Sequence, residues 1–494
     1  MRLLILVSLL LGTQWLEAKQ PNILFVLTDD QGWSSLSAYG SQRVQTPHLD
    51  QLAAEGMRFT HAYALPQCTP TRAGFLTGQH AARNGMWHVI GWYGTPWAPV
   101  AEPAFKENFK REQFNLAKGL KKAGYQTGII GKWHLTTNAD GHYVGLKPEA
   151  AHHYGFDFSA QSPDPRYHQS PDKGVDWMTD EALAFAKRHP DKPWFCYLSH
   201  HTLHGPVLAP PALVEKHRRK GAPEKGLHNA TYLAAIEHLD QSMGRLLEGL
   251  ERLGQKDNTI VIFFCDNGGV YQQYDIAPFK EGPGTATRLK VAKEEFSNTP
   301  LRAGKGSQYE GGIREPLIIR WPGVVPPGSV ENTSVHVIDF LPTLLSCAGT
   351  QAPTDYPVDG VDLTPILRGG SIEARPLFWY LPLYDLRWGA TPCAIIQRDK
   401  WKLIEYFGDR IDAQGRYQRG HHLELFNLKT DLAESANRAK LEPEKTRTLQ
   451  RELHQLIRQC GATIPGPNPH YDPSRPLKET KQKPSFVRPY APRL

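Results

Sequence analysis

Apolar and polar positions follow each other along this chain in two distinct rhythms. The run NILFVLT (22–28) is apolar almost throughout and ends in Asp29-Asp30. A short unbroken run of that kind marks a strand buried on both faces. TPHLDQLAAEG (46–56) follows, with a polar cap, a first-turn proline and a closing glycine, and predicts a helix. The alternation continues with a helix near 115–123, a strand near 125–130, a helix near 179–187 and a strand over 194–198. The clearest helix is predicted over 229–253, where Tyr232, Leu233, Ile236, Leu239, Met243, Leu246, Leu247, Leu250 and Leu253 recur at spacings of three and four. The strand TIVIFF (259–264) comes directly after it. Strands alternating with helices predict an α/β fold: a large mixed, mostly parallel sheet sandwiched by helices. Ligands of such a sheet collect at the carboxyl ends of its strands.

Beyond about Gly370 the rhythm changes. CAIIQRDKWKLIEYF (393–407) reads as antiparallel strands and 443–459 as an amphipathic helix, which together predict a smaller C-terminal α+β domain. A chain of 494 residues exceeds the size at which one core stops growing. The expected division is a leader over 1–18, a large domain over 19–370, the small domain over 371–462 and a Pro-rich, basic extended tail over 463–494. MRLLILVSLLLG combines Arg2 with an apolar run too short to span a bilayer, and Leu16-Glu17-Ala18 supplies a cleavage site. That pattern predicts a secreted or periplasmic protein, with no later membrane-spanning segment. Six cysteines are too few for a disulfide scaffold in a chain of this size. The net charge is +7, of which the tail contributes +4 from six Lys or Arg against two acids. The body is therefore only weakly basic, nucleic acid is not the implied partner, and an anionic substrate must be held by local groups.

Six stretches carry candidate chemistry. CTPTRAGFLTG (68–78) places Cys68 two residues before Pro70, where the proline suits a first helical turn. Cys68 is then expected just ahead of the helix, facing free amides that favour a thiolate or an oxyanion. Alone, it could equally be a buried or disulfide-bonded cysteine. Asp29, Asp30, Asp266 and Asn267 sit on two predicted strand ends, and an all-oxygen set selects a hard cation, Ca²⁺ or Mg²⁺. Each pair by itself is also an ordinary turn sequence. GKWHL (131–135) leaves a strand, so in extended chain Lys132 and His134 share a face. HHTLHGP (200–206) offers His200, His201 and His204 on a loop rather than a helix, against a zinc reading. LRAGKGSQYEGGIREP (301–316) sets Lys305 between glycines, where backbone approaches a ligand closely.

Together these stretches resemble the formylglycine-dependent, type I sulfatase family, arylsulfatase-like members of the alkaline phosphatase superfamily. The Cys-x-Pro-Thr-Arg spelling has Thr71 where the family most often has Ser, and Leu203 stands where a proline usually precedes the histidine. The likeness runs through most of 22–323 and weakly to LELFNLKTD (423–431). It implies oxidation of Cys68 to formylglycine by a maturing enzyme. It implies Asp29, Asp30, Asp266 and Asn267 as metal ligands, with residue 68 completing the shell and Ca²⁺ the usual ion. Arg72 would hold the aldehyde hydrate, Lys132 and His134 would contact it, and His204, or else His201, would contact substrate beside Lys305; Arg314 also matches. In the implied scheme one geminal hydroxyl attacks sulfur, His204 or Lys305 protonates the leaving alcohol, and His134 deprotonates the second hydroxyl to expel sulfate. The implied substrate is a sulfated saccharide or another sulfate ester. A phosphodiester or phosphonate ester hydrolase and a non-catalytic sulfated-glycan-binding protein are the rival readings. At the rim, Trp87, Trp92 and Trp97 could stack on sugars or merely pack a loop, and Lys280, Arg288 and Lys290 could meet a second anionic group.

Overall fold

The computed structural model describes residues 19–91, 94–138, 142–161, 170–277, 288–475 and 477. The predicted leader, Trp92, Lys280 and most of the tail lie outside the described residues. Strands of the large unit are β1 (Asn22–Thr28), β2 (Met57–Tyr63), β3 (Gln126–Gly131), β4 (Phe158–Ala160), β5 (Trp194–Ser199) and β6 (Thr259–Cys265). They continue with the hairpin of β7 (Gln273–Asp275) and β8 (Lys290–Lys293), then β9 (Arg314–Arg320), β10 (Ser329–Glu331) and β11 (Val335–His336). Apart from the hairpin they form one sheet in the order β10-β2-β9-β6-β1-β5-β3-β4, with β11 also on β2. Pairing is parallel except where β9 runs against β2 and β6, so the sheet is mixed and mostly parallel, as the alternating pattern predicts.

The period-two logic of β1 explains its unbroken apolar run. Ile23, Phe25 and Leu27 join one buried cluster, whereas Leu24 and Val26 join the other, on the opposite face. The second cluster is closed by the Ala230–Arg252 helix, capped by Asn229, which accepts from the Tyr232 amide. The predicted helix near 179–187 in fact begins at Val175. Asp172 accepts from the amides of Gly174 and Asp176 and so starts the helix four residues early.

The C-terminal unit contains β12 (Leu377–Leu381), β13 (Cys393–Arg398), β14 (Trp401–Tyr406), the pair β15 (Asp409–Ile411) and β16 (Tyr417–Arg419), and β17 (His422–Asn427). An antiparallel sheet in the order β12-β13-β14-β17 packs against the Pro443–Gln459 helix. Leu377, Trp379, Ile395 and Leu403 belong to the same buried cluster as Phe25 and Phe75, so the two units share a core. Residues following Thr463 run along the 96–101 loop, where the Asn468 amide donates to Ala98 O at 2.7 Å. All six cysteines are free thiols. Among the described residues, no helix is long and apolar enough to cross a membrane.

Candidate active site

Register places the acidic residues together. β1 and β6 are parallel neighbours with Thr28 opposite Cys265, so Asp29-Asp30 and Asp266-Asn267 leave the same sheet edge side by side. The helix Cys68–Thr77 points its first turn at that edge. It begins at Cys68, two residues before the predicted start, because Pro70 lies within the first turn, whose N–H groups need no intrahelical acceptor. Oxygens of Asp29, Asp30 and Asp266 and the Cys68 sulfur all lie within 4.8 Å of one another, and all four residues are buried.

The fourth predicted oxygen ligand is also present. Asn267 donates through Nδ2 to Asp30 Oδ1 at 2.7 Å, while its buried Oδ1 has no partner. A buried carbonyl oxygen without a donor is costly, and beside three converging carboxylates it fits a hard divalent cation. Three side-chain cations balance the acids. Arg72 reaches Asp266 Oδ2 at 2.7 Å and Asp29 at 3.5 Å; Lys132 pairs with Asp29; Lys305 reaches Asp30 at 2.8 Å. Burial opposes ionisation of Asp29, yet Lys132, His204, Arg72 and Lys305 together hold its carboxyl well below the usual range. Burial and the Asp29 charge push Asp266 up to about 6.

The thiolate expected at Cys68 is not what the surroundings favour. Burial, then the charges of Asp266 and Asp29, raise the thiol far above its ordinary value and outweigh the helix start, so the unmodified residue is a protonated thiol.

Lys132 and His134 are brought together, but by another route than extended chain. β3 ends at Gly131, and His134 is left-handed with φ 55°. Thr69 donates to its carbonyl at 3.0 Å, which fixes the loop to the first turn of the Cys68 helix. Burial and the Lys132 charge lower the His134 pKa well below its ordinary value, so its imidazole is neutral. His204 lines the cavity with Cys68, His134 and Lys305, and its Nε2 lies 4.0 Å from Asp30 Oδ2. His201 is absent from that lining and His200 is fully buried. Arg314 is not brought to the site: it donates to Thr60 O at 2.8 Å and lines a separate cavity.

The cavity has a volume of about 310 Å³. Several of its walls carried no readable signal in the sequence. Asp385, Arg387 and Trp388 come from the C-terminal unit, and Gln273, Lys293 and Glu295 from the β7–β8 hairpin region. Behind His204, Lys173 donates to the carbonyls of His204 and Pro206 and pins their loop. Trp87 is buried against Tyr380 and Trp97 is covered by Arg475, so both pack loops. Arg288 and Lys290 do not line the cavity.

Fold and site together define an α/β protein with a buried, cation-ringed acidic cluster at the carboxyl ends of two neighbouring strands. Residues 21–350 match the Sulfatase family model, and 304–462 match that of N-sulphoglucosamine sulphohydrolase, C-terminal. A sulfatase of Formosa agariphila is 31% identical over 85% of this chain and 84% of its own. Human N-acetylgalactosamine-6-sulfatase is 33% identical over 73% of this chain and 68% of its own. The crystal structure of Ps i-CgsB in complex with k-i-k-neocarrahexaose superposes with a TM-score of 0.68 at 24% identity, covering 89% of this chain and 93% of that one. The chain belongs to the sulfatase family and is a sulfuric ester hydrolase.

Proposed function

We propose that this protein is a secreted sulfatase that removes sulfate from a saccharide, using Ca²⁺ and a formylglycine made from Cys68 by a maturing enzyme. The observation carrying this reading is the convergence of Asp29, Asp30, Asp266, the orphaned Asn267 oxygen and residue 68 on one point, ringed by Arg72, Lys132 and Lys305. Support for a saccharide comes from the relatedness to N-acetylgalactosamine-6-sulfatase.

Asp29, Asp30, Asp266 and Asn267 would hold the ion, which when bound supplies positive charge against the sulfate oxygens. Formylglycine, when formed, supplies a hydrated aldehyde with two hydroxyls, one to bond sulfur and one to drive release. The chain's own groups do the rest. Arg72 fixes two of the carboxylates through a buried guanidinium. Lys132, beside Asp29, and Lys305, beside Asp30, offset sulfate charge in a site where burial strengthens each interaction. Lys305 Nζ, kept charged against burial by Asp30, gives a proton to the departing alcohol oxygen beside His204. His134, kept neutral by burial and Lys132, takes the proton that release requires.

Mass spectrometry of the peptide containing residue 68, with turnover of aryl sulfate and aryl phosphate, tests the reading. The expected result is an aldehyde at position 68 and preference for the sulfate, with Cys68→Ala folded and inactive. Unmodified cysteine with no turnover indicates a binding protein, and preference for the phosphate overturns the sulfatase assignment.

A further inference from the structure

The floor and the mouth of the cavity carry different charges. Cys68, His134 and Lys305 at the floor are at most 7% exposed. At the mouth stand two ion pairs built alike. Lys293 Nζ lies 2.5 Å from Glu295, with side-chain exposures of 45% and 8%. Arg387 donates from Nε and Nη2 to the two oxygens of Asp385, both at 3.0 Å, with exposures of 30% and 1% for the pair. In each pair the carboxylate is buried behind and the cation faces the opening. Such a carboxylate orients its partner.

The Arg387 arm is also tied to the floor. Asp385 accepts from Gln67 Nε2 at 2.8 Å, one residue before Cys68. Trp388 lies under Lys305, whose Nζ is 5.4 Å from the ring centroid. Gly306, with φ 78°, leaves room for the same indole, since a Cβ there would stand 2.4 Å from Trp388 Cβ. The turn from the C-terminal unit is thus seated against both the residue preceding Cys68 and the loop holding Lys305.

We propose that Lys293 and Arg387 read a second anionic group on the substrate, a second sulfate ester or a uronate carboxylate lying within about one sugar ring of the scissile sulfate. The proposal rests on the sulfate-ester reading of the floor and adds the class of saccharide. Carboxylate-backed, partly exposed cations at the mouth reward a charge that the reacting sulfate itself cannot supply, because that sulfate is occupied at the floor.

The test compares three disaccharides that share one sulfate: one with nothing further charged, one with a second sulfate and one with a uronate. Sulfate release gives kcat/KM, and calorimetry on Cys68→Ala gives Kd without turnover. Wild type is expected to prefer at least one doubly charged ligand by about tenfold. Arg387→Gln and Lys293→Gln should each bring that ratio toward one, chiefly through KM, and Arg387→Lys should recover part of it. Which ligand is preferred tells sulfate from carboxylate. Absence of any preference in wild type, or variants that keep the wild-type ratio, overturns the proposal. If Arg387→Gln melts early, Lys293→Gln on the hairpin decides. A preference in Kd with no turnover upholds recognition and removes the hydrolytic reading; turnover without preference does the reverse.

Discussion

The joint between the two units is a buried ionic cluster whose removal has a calculable cost. Lys402 on β14 is fully buried and lies 2.9 Å from Glu310 and 2.8 Å from Glu434, both also fully buried. Glu310 belongs to the loop that carries Lys305 and additionally accepts from Tyr63 Oη at 3.0 Å. Burial opposes its ionisation, but Lys402 and Arg314 hold its pKa below the ordinary value. Burial pushes Glu434 up to about 7 against Lys402, helped by the Glu310 charge. Lys402→Met keeps the volume and removes the ammonium, stranding one or two carboxylates. Breaking a buried pair in this way costs about 3–5 kcal/mol. At about 2.1 cal/mol/K per residue, a chain of this length loses about 1 kcal/mol of stability per degree near its midpoint, so Tm should fall by about 3–5 °C.

The cost carries a sign in pH. A carboxyl with a raised folded pKa binds its proton more tightly in the folded state, so stability is lost as pH rises from the ordinary value toward the folded one. Without Lys402 both carboxyls are raised, and the deficit must be larger at pH 8 than at pH 5, where protonation removes the stranded charge. Melting curves of the two proteins at both pH values measure this. No deficit at pH 8, or an equal deficit at the two values, refutes the reasoning.

Removal of metal by a strong Ca²⁺ chelator should lower activity and Tm together, and added Ca²⁺ should restore both. Saturation at a hundred times Kd is worth about 2.7 kcal/mol, so an unmoved melting curve rejects the assignment of Asp29, Asp30, Asp266 and Asn267. Gly268→Ala should impair the same edge, because a Cβ there would stand 1.8 Å from the Gly311 carbonyl oxygen. The expected loss is about 1–3 kcal/mol with reduced Ca²⁺ affinity; wild-type affinity in a calcium titration would show that the turn relaxes freely.

Much of the scaffold was legible because it obeys local rules. Residues 23–27 and 260–264 are apolar without interruption since both sheet faces are covered, and the 229–253 pattern needs only the helical period and its Asn229 cap. Pro70, in contrast, suggested a later helix start than Cys68, because any of the first-turn positions tolerates a missing N–H. Lys132 and His134 follow β3 through a left-handed residue that period-two reasoning does not contain. The thiolate at Cys68 failed for a longer-range reason, since burial in the assembled site, then the charges of Asp266 and Asp29 arriving from other strands, raise its pKa.

By itself, then, the chain determined the most periodic strands and helices, and which residues have the chemistry of a metal and sulfate site. Only the tertiary structure decided that β1 and β6 are neighbours in register, that His204 rather than His201 faces the cavity, and that Arg314 faces elsewhere. It also brought Asp385, Arg387 and Trp388 across more than three hundred residues to the wall beside Cys68. Periodicity is set by neighbours along the backbone, whereas a cavity wall is set by packing between units, and that packing leaves no mark in local spacing.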